Sequence, residues 1–198
     1  GPVGLFAALT LAKKGIRVTI VDRAWRTGAH SYALALHPQS LRLLQELEIV
    51  QAVLDRAYRV HTIGLYDRTT RRADLRIAGP DDSAWPVAVM RQDVLEQVLE
   101  QALDRVGVKV CWNHAVSRVL PQQDCAVATI DKMVKESVGY AVARTQWMVA
   151  KSKDVPVRFV IGADGHQSLV RRALGIDFPE VGAAQHFAVF EFASDADL

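Results

Sequence analysis

Apolar residues crowd the opening stretch GPVGLFAALTLAKK, where Val3, Leu5, Phe6, Leu9 and Leu11 leave almost no polar face before Lys13 and Lys14. That pattern predicts a helix from Pro2 to Lys14 buried against a sheet, with Gly15 as its stop. The next run, IRVTIVD (16–22), is nearly continuous in β-branched residues and reads as a parallel strand covered on both faces. Helix, glycine and buried strand make up half of a βαβ unit.

Farther along, residues 24–37 have the polar composition of a loop. Pro38 then stands where a first helical turn tolerates proline, ahead of the helix QSLRLLQEL. From Arg59 to Ile77 the alternation in VHTIGLYD and ADLRIA, interrupted by RTTRR, predicts a pair of antiparallel strands. GPDDSAWP reads as a loop, and a strong helix spans Gln92 to Arg105, with Gly107 ending it before the strand VKVCW. Between Ala115 and Val149 three short strands are expected, joined by PQQD and by the charged DKMVKES. VRFVIGADG returns to the buried-strand pattern and ends in a tight turn. SLVRRALGI is a short helix closed by Gly175, and QHFAVFEFASDADL begins one more strand. There is no internal repeat.

Composition narrows the class. Half of the 198 residues are hydrophobic, enough for a folded core, and the formal net charge of +2 arises from interspersed acids and bases. No basic footprint for nucleic acid stands out, and no apolar run reaches the length of a membrane span. The two cysteines, Cys111 and Cys125, form neither a CxxC nor a disulfide framework, which suits a reducing, cytoplasmic location. Six histidines show no ligand spacing, so no metal is expected. Ser168 in GHQSL lacks the G-x-S-x-G context of a nucleophile and fits a helix cap better. The four tryptophans are scattered without a basic stripe, as packing residues are.

Two constellations carry chemistry. In a dinucleotide fingerprint, glycines let backbone approach a pyrophosphate at a helix N-terminus, and a carboxylate about 20 residues on takes the ribose hydroxyls. Gly1 and Gly4 match the second and third glycines of G-x-G-x-x-G, and Asp22 closes the strand at the right distance. The first glycine and its strand are not in the sequence. An Asp here suits a ribose without a 2'-phosphate, pointing to FAD or NAD. The second constellation, GADGHQSLVRRALGI, puts Asp164 beside Gly165 at the end of a second strand. Its plainer reading is a turn in which Ser168 caps a helix. If both strands share one sheet, the two carboxylates face one crevice.

Taken together, GPVG…VTIVDR and VIGADGHQSLVRRALGI resemble the flavoprotein monooxygenases typified by p-hydroxybenzoate hydroxylase and the phenol-type aromatic hydroxylases. The second stretch follows that family's G-A-D-G-x-x-S-x-V-R signature throughout. The resemblance implies an α/β fold: a truncated Rossmann-like FAD-binding domain over residues 1–180, with a small antiparallel β portion. Residues 181–198 would begin the substrate-binding sheet. Gly1, Pro2, Val3 and Gly4 would then lie against the FAD pyrophosphate, and Asp22 would bind the adenosine ribose with Arg23 nearby. Asp164 and Gly165 would touch FAD and shape the path of the reduced nicotinamide, and Arg91 or Gln92 would reach the flavin.

Two departures stand out: Tyr32 replaces an Arg common ahead of ALALHPQSL, and the later G-D motif has no counterpart before Leu198. The expected activity is hydroxylation of a phenolic substrate by the longer enzyme, with NADH or NADPH as reductant and O2 as oxidant. The 198-residue piece by itself is expected to hold flavin weakly and to be inactive. Halogenases and quinone- or polyprenyl-modifying flavoenzymes share both motifs. A nicotinamide-only Rossmann dehydrogenase and a non-catalytic nucleotide-binding fragment are the alternatives outside that chemistry.

Overall fold

A glycine turn, an apolar helix and a β-branched run do fold as helix and parallel strand, although the strand is shorter than its composition suggests. The computed structural model describes residues 1–26, 33–77, 85–138 and 144–186. The chain divides into two compact units, Gly1–Ala29 with Glu96–Phe178 and His30–Leu95 with Pro179–Leu198.

The first unit opens with helix α1 (Pro2–Lys13), which buries Leu5, Ala8 and Leu9 and is followed by Gly15 at φ +75°. Only glycine holds that left-handed conformation without cost, so the stop falls where the sequence places it. Strand β1 (Ile20–Asp22) pairs in parallel with β7 (Val110–Trp112), Ile20 opposite Val110 and Asp22 opposite Trp112. Parallel pairing is as expected, but coverage on both faces is not: all three residues of β1 are half-buried and Ile16 is exposed, and among the described residues the sheet has two strands.

Residues 158–163 depart further from expectation. VRFVIGADG is not a strand beyond Val157, and Phe159 and Ile161 are 79% and 60% exposed. A parallel strand requires a neighbour to complete its ladder, and among the described residues none pairs with this segment.

Helix α4 (Gln92–Arg105) spans the residues its periodicity predicts. Leu95, Val98, Leu99, Ala102 and Leu103 are buried along one stripe, and Gly107 follows at φ +77°.

Strands β8 (His114–Pro121), β9 (Ala126–Val138) and β10 (Arg144–Val157) form an antiparallel sheet in the order β10-β9-β8. Three strands are expected and three form, with PQQD at the first turn. DKMVKES, however, is not a connection but the second half of β9, whose Lys135 pairs with Trp147. Its charges are tolerated because the ribbon is largely open to solvent, and the Lys135 ammonium lies 5.1 Å from the Trp147 ring centroid and 5.8 Å from that of Trp25. The actual connection, 139–143, lies outside the described residues. The short helix α5 (Leu169–Ala173) ends ahead of Gly175 at φ +65°.

In the second unit, Pro38 starts α2 (Pro38–Glu46), and an unforeseen turn of helix, α3 (Val50–Leu54), follows. Leu41, Leu44, Leu47, Ile49, Val53 and Leu54 supply most of its core. Part of the stretch read as a loop is strand β2 (Ala33–Leu36), because an alternating Ala-Leu run can pair with β6 (Val87–Arg91), as Leu34 does with Met90. Residues 27–32, including His30 and Tyr32, lie outside the described residues.

VHTIGLYD is divided at His61. Strand β3 (Tyr58–Val60) joins β6, whereas β4 (Thr62–Asp67) forms a separate hairpin with β5 (Thr70–Arg76). Arg68, at φ +55°, makes the turn of that hairpin. Most of GPDDSAWP and residues 187–198 of the last expected strand also fall outside the described residues.

Candidate functional site

The first turn of α1 is where the two sequence constellations meet. Gly1 is its N-cap residue, Pro2 occupies the first helical position, and no side chain caps the helix. Proline has no N–H to satisfy there. Among the described residues the N–H groups of Val3 and Gly4 have no acceptor, whereas the Leu5 N–H donates to the Gly1 carbonyl at 3.2 Å. Unused donors and the positive end of the helix dipole together form a seat for an anion. Gly1 and Val3 are exposed, Val3 by 69%, so the turn is open to solvent.

On one side of this turn stands Asp22. The Gly1 nitrogen donates to its Oδ2 at 3.1 Å, and the Ala24 N–H donates to its Oδ1 at 2.8 Å. The second bond folds residues 22–24 back on the carboxylate, as Asp side chains do at turns. Asn113, at φ +57°, anchors the same loop: its N–H donates to the Ala24 carbonyl at 2.9 Å, while its own carbonyl accepts from Met133 at 2.7 Å. Arg23 projects from this loop and is exposed.

The other side is formed by residues 162–165. A Cβ on Gly4 would sit 3.4 Å from the Ala163 Cβ, so helix and turn are in contact there. A Cβ on Gly162 would come within 2.8 Å of the Val170 Cβ, closer than real Cβ contacts, which makes a side chain at 162 incompatible with α5 in its present place. Gly165 turns the chain at φ +76°.

Asp164 directs its carboxylate onto the start of α5. The Ser168 hydroxyl donates to Oδ1 at 2.5 Å, and the Leu169 and Val170 N–H groups donate to Oδ2 at 2.6 and 3.2 Å. Ser168 Oγ in turn accepts from the Arg171 N–H at 3.0 Å, the cap its sequence position predicts. Burial pushes the Asp164 carboxyl up. The hydrogen bonds from Ser168 and from backbone N–H groups outweigh that and hold it below the usual carboxylate range.

One residue of this neighbourhood escapes sequence reasoning. Glu96 on α4 is 5% exposed, with Oε1 3.9 Å from where a Cβ on Gly1 would lie. A carboxylate there complements the positive end of α1. Its only signal is a charge one step off the apolar stripe of α4, which any solvated helix face also shows. Arg91 and Gln92 belong to the second unit: Arg91 ends β6 and forks onto Asp93 at 3.0 and 3.1 Å, and Gln92 begins α4. No group of acids, histidines and cysteines able to hold a metal occurs among the described residues.

Against known proteins, residues 1–198 match the FAD binding domain family over the whole chain. The chain belongs to this FAD-binding family. It is 30% identical over 202 residues to 6-methylpretetramide 4-monooxygenase of Streptomyces rimosus, covering 100% of this chain and 33% of that protein. It is 27% identical to para-nitrophenol 4-monooxygenase of Pseudomonas sp. strain WBC-3, over 90% of this chain and 41% of the relative. Among solved structures, p-nitrophenol 4-monooxygenase PnpA from Pseudomonas putida DLL-E4 superposes with a TM-score of 0.77 at 20% identity, covering 91% of this chain and 43% of the other.

The chain thus has the α/β fold of the flavin-dependent aromatic hydroxylases and spans about a third of the length of the Streptomyces rimosus relative. The fit of its residues to FAD rests on the uncapped first turn of α1, whose free donors suit a pyrophosphate, and on the acid beside it. Among the described residues no helix is long and apolar enough to cross a membrane.

Proposed function

We propose that this chain supplies the adenosine and pyrophosphate end of the FAD site in a monooxygenase that hydroxylates a phenolic aromatic substrate, consuming O2 and NADH or NADPH. The observation that carries this reading is the first turn of α1, uncapped and flanked by the Asp22 loop on one side and by residues 162–165 on the other. The names of the relatives, monooxygenases of methylpretetramide and of nitrophenol, supply the reaction class.

Gly1, Pro2, Val3 and Gly4 admit the pyrophosphate, with the Val3 and Gly4 N–H groups as donors. Asp22 accepts from the ribose hydroxyls, with Arg23 beside it, and favours a ribose without a 2'-phosphate. Asp164 and Gly165 wall the far side, and Arg91 or Gln92 serves the flavin end. Bound FAD supplies the redox chemistry; the residues named here bind it, orient it and limit its exposure to water. Two free thiols, Cys111 and Cys125, suit a reducing compartment such as the cytoplasm.

The test is NADH and NADPH oxidation by the full-length protein loaded with FAD. The rate is expected to rise on adding phenols, with one atom of labelled O2 appearing in the product. A yellow protein that no aromatic substrate stimulates would remove hydroxylation, and a colourless protein that refuses FAD would remove the flavin as well.

A further inference from the structure

We infer that Lys135 is a positioning residue for the adenosine end of the FAD site, its ammonium clamping the loop that follows Asp22 onto the β9-β10 ribbon. This rests on the flavin reading above. Beyond Lys132, which pairs with His114, strand β9 has no partner in β8, and among the described residues its distal part pairs with β10 alone. A two-stranded ribbon is marginal in water by itself. This one is tied to residues 22–26 through Met133 and Lys135.

The first tie is made by backbone. The Met133 N–H donates to the Asn113 carbonyl at 2.7 Å, and the Asn113 N–H donates to the Ala24 carbonyl at 2.9 Å. The second is made by side chains: the Lys135 ammonium lies 5.8 Å from the Trp25 ring centroid and 5.1 Å from that of Trp147, its cross-strand partner. Both are within reach of a cation–ring attraction, about 6 Å. Trp25 and Trp147 are 50% and 43% exposed, so burial alone does not fix the two indoles, and the cation between them joins loop to ribbon. The Arg26 guanidinium also lies 4.2 Å from the Trp25 ring centroid, but it is the next residue in the chain and ties the loop only to itself.

Trp25 follows Ala24, whose N–H donates to Asp22 Oδ1 at 2.8 Å while the Gly1 nitrogen holds Oδ2. A loop fixed at Trp25 fixes the Ala24 N–H, and that N–H sets the rotation of the carboxylate proposed to take the ribose hydroxyls. The Val3 and Gly4 N–H groups of the proposed pyrophosphate seat lie on α1, outside this chain of contacts. Lys135 therefore acts on the grip of the sugar and not on that of the phosphates.

The test compares K135M, which keeps an apolar stem without the charge, K135R, which keeps a cation, and the double variant D22A/K135M in the full-length protein. The flavin-free form is titrated with ADP and with inorganic pyrophosphate, and amide exchange at Ala24 is followed without ligand. K135M is expected to bind ADP roughly 5- to 30-fold more weakly, the effect of losing two cation–ring contacts, with pyrophosphate affinity nearly unchanged. K135R is expected to retain most of the ADP affinity, and D22A/K135M to bind ADP no worse than D22A. Exchange at Ala24 is expected to quicken in K135M and to stay slow in K135R.

Unchanged ADP affinity in K135M would overturn the inference. Equal losses for ADP and pyrophosphate would overturn it too, by showing that Lys135 acts as a distant charge, and equal losses in K135M and K135R would show that no cation is needed. If the wild-type protein takes neither ADP nor FAD, the flavin reading falls, and the Ala24 amide alone decides whether Lys135 holds the loop.

Discussion

Asp22 and Asp164 follow the same sequence grammar, a β-branched run closing on an acid, yet they are held by different means. Asp22 ends a strand with a parallel partner, and its loop is pinned by the Asn113 backbone. Asp164 ends a segment that pairs with no strand among the described residues, and it is fixed by the helix that comes after it. In the first region the sheet positions the acid, leaving the carboxylate facing the first turn of α1. In the second the acid positions the structure, and its oxygens are turned toward α5. The same residue in the same local pattern faces the first turn of α1 on one side, where the proposed function makes it a ligand group, and braces a helix on the other.

The sharpest way to break this comparison is at Gly162, where only the second region relies on close approach. A Cβ there meets the Val170 Cβ at 2.8 Å and its Cγ1 at 3.0 Å, and neither atom is the far end of a flexible chain. Gly162→Ala is expected to cost about 1–3 kcal/mol, as overpacking does, read as a lowered denaturation midpoint. Gly4→Ala, with its nearest contact at 3.4 Å, serves as the control and should leave the midpoint nearly unmoved. Equal effects of the two substitutions would mean that α5 does not press on the turn.

Asp22 offers the converse test. Because its carboxylate faces the anion seat, Asp22→Ala should act on ligand affinity more than on fold. A lost hydrogen bond to a charged group, about 1.5–3 kcal/mol, corresponds to roughly 10- to 150-fold weaker binding of ADP, measured by calorimetry. Unfolding should shift less, since the sheet and Asn113 still hold the loop. Unchanged ADP affinity would reduce Asp22 to a turn residue and make the two regions alike.

Much of this arrangement is legible in the order of the residues alone. An apolar run closed by Gly15 locates α1 and periodicity locates α4, Pro38 marks the start of α2, and Gly15, Gly107 and Gly175 mark ends whose positive φ values match. Ser168 is readable as a cap because a hydroxyl at a helix start is a local feature. What the pattern misses depends on neighbours. IRVTIVD and VRFVIGADG carry the composition of buried strands, but the number of residues that join a ladder depends on which other strands lie alongside. DKMVKES reads as a connection because its charges outweigh its place in a ribbon whose partner strand begins beyond it in sequence. Glu96 is invisible for a similar reason: it is buried beside Gly1, a residue distant in sequence, which no pattern along α4 encodes.

The smallest expected effect is the most specific to Asp164, because it depends on the sign of a proton equilibrium. Burial raises its carboxyl, and the bonds from Ser168, Val170, its own N–H and Leu169 lower it further than burial raises it. A carboxyl depressed on folding stabilises the cap at every pH above the usual carboxylate range, near 4. That contribution is lost only as pH falls past that range toward the lowered value. The Leu169 and Val170 amides should therefore keep their protection through mildly acid solution and lose it below the range in which free aspartates protonate. Asp164→Asn, which has no proton to take up there, should flatten that part of the profile while leaving the neutral-pH protection in place. A wild-type midpoint at or above the free-aspartate value would mean that the bonds onto the carboxylate do not outweigh its burial, and with that Asp164 would cease to be the brace that distinguishes its turn from that of Asp22.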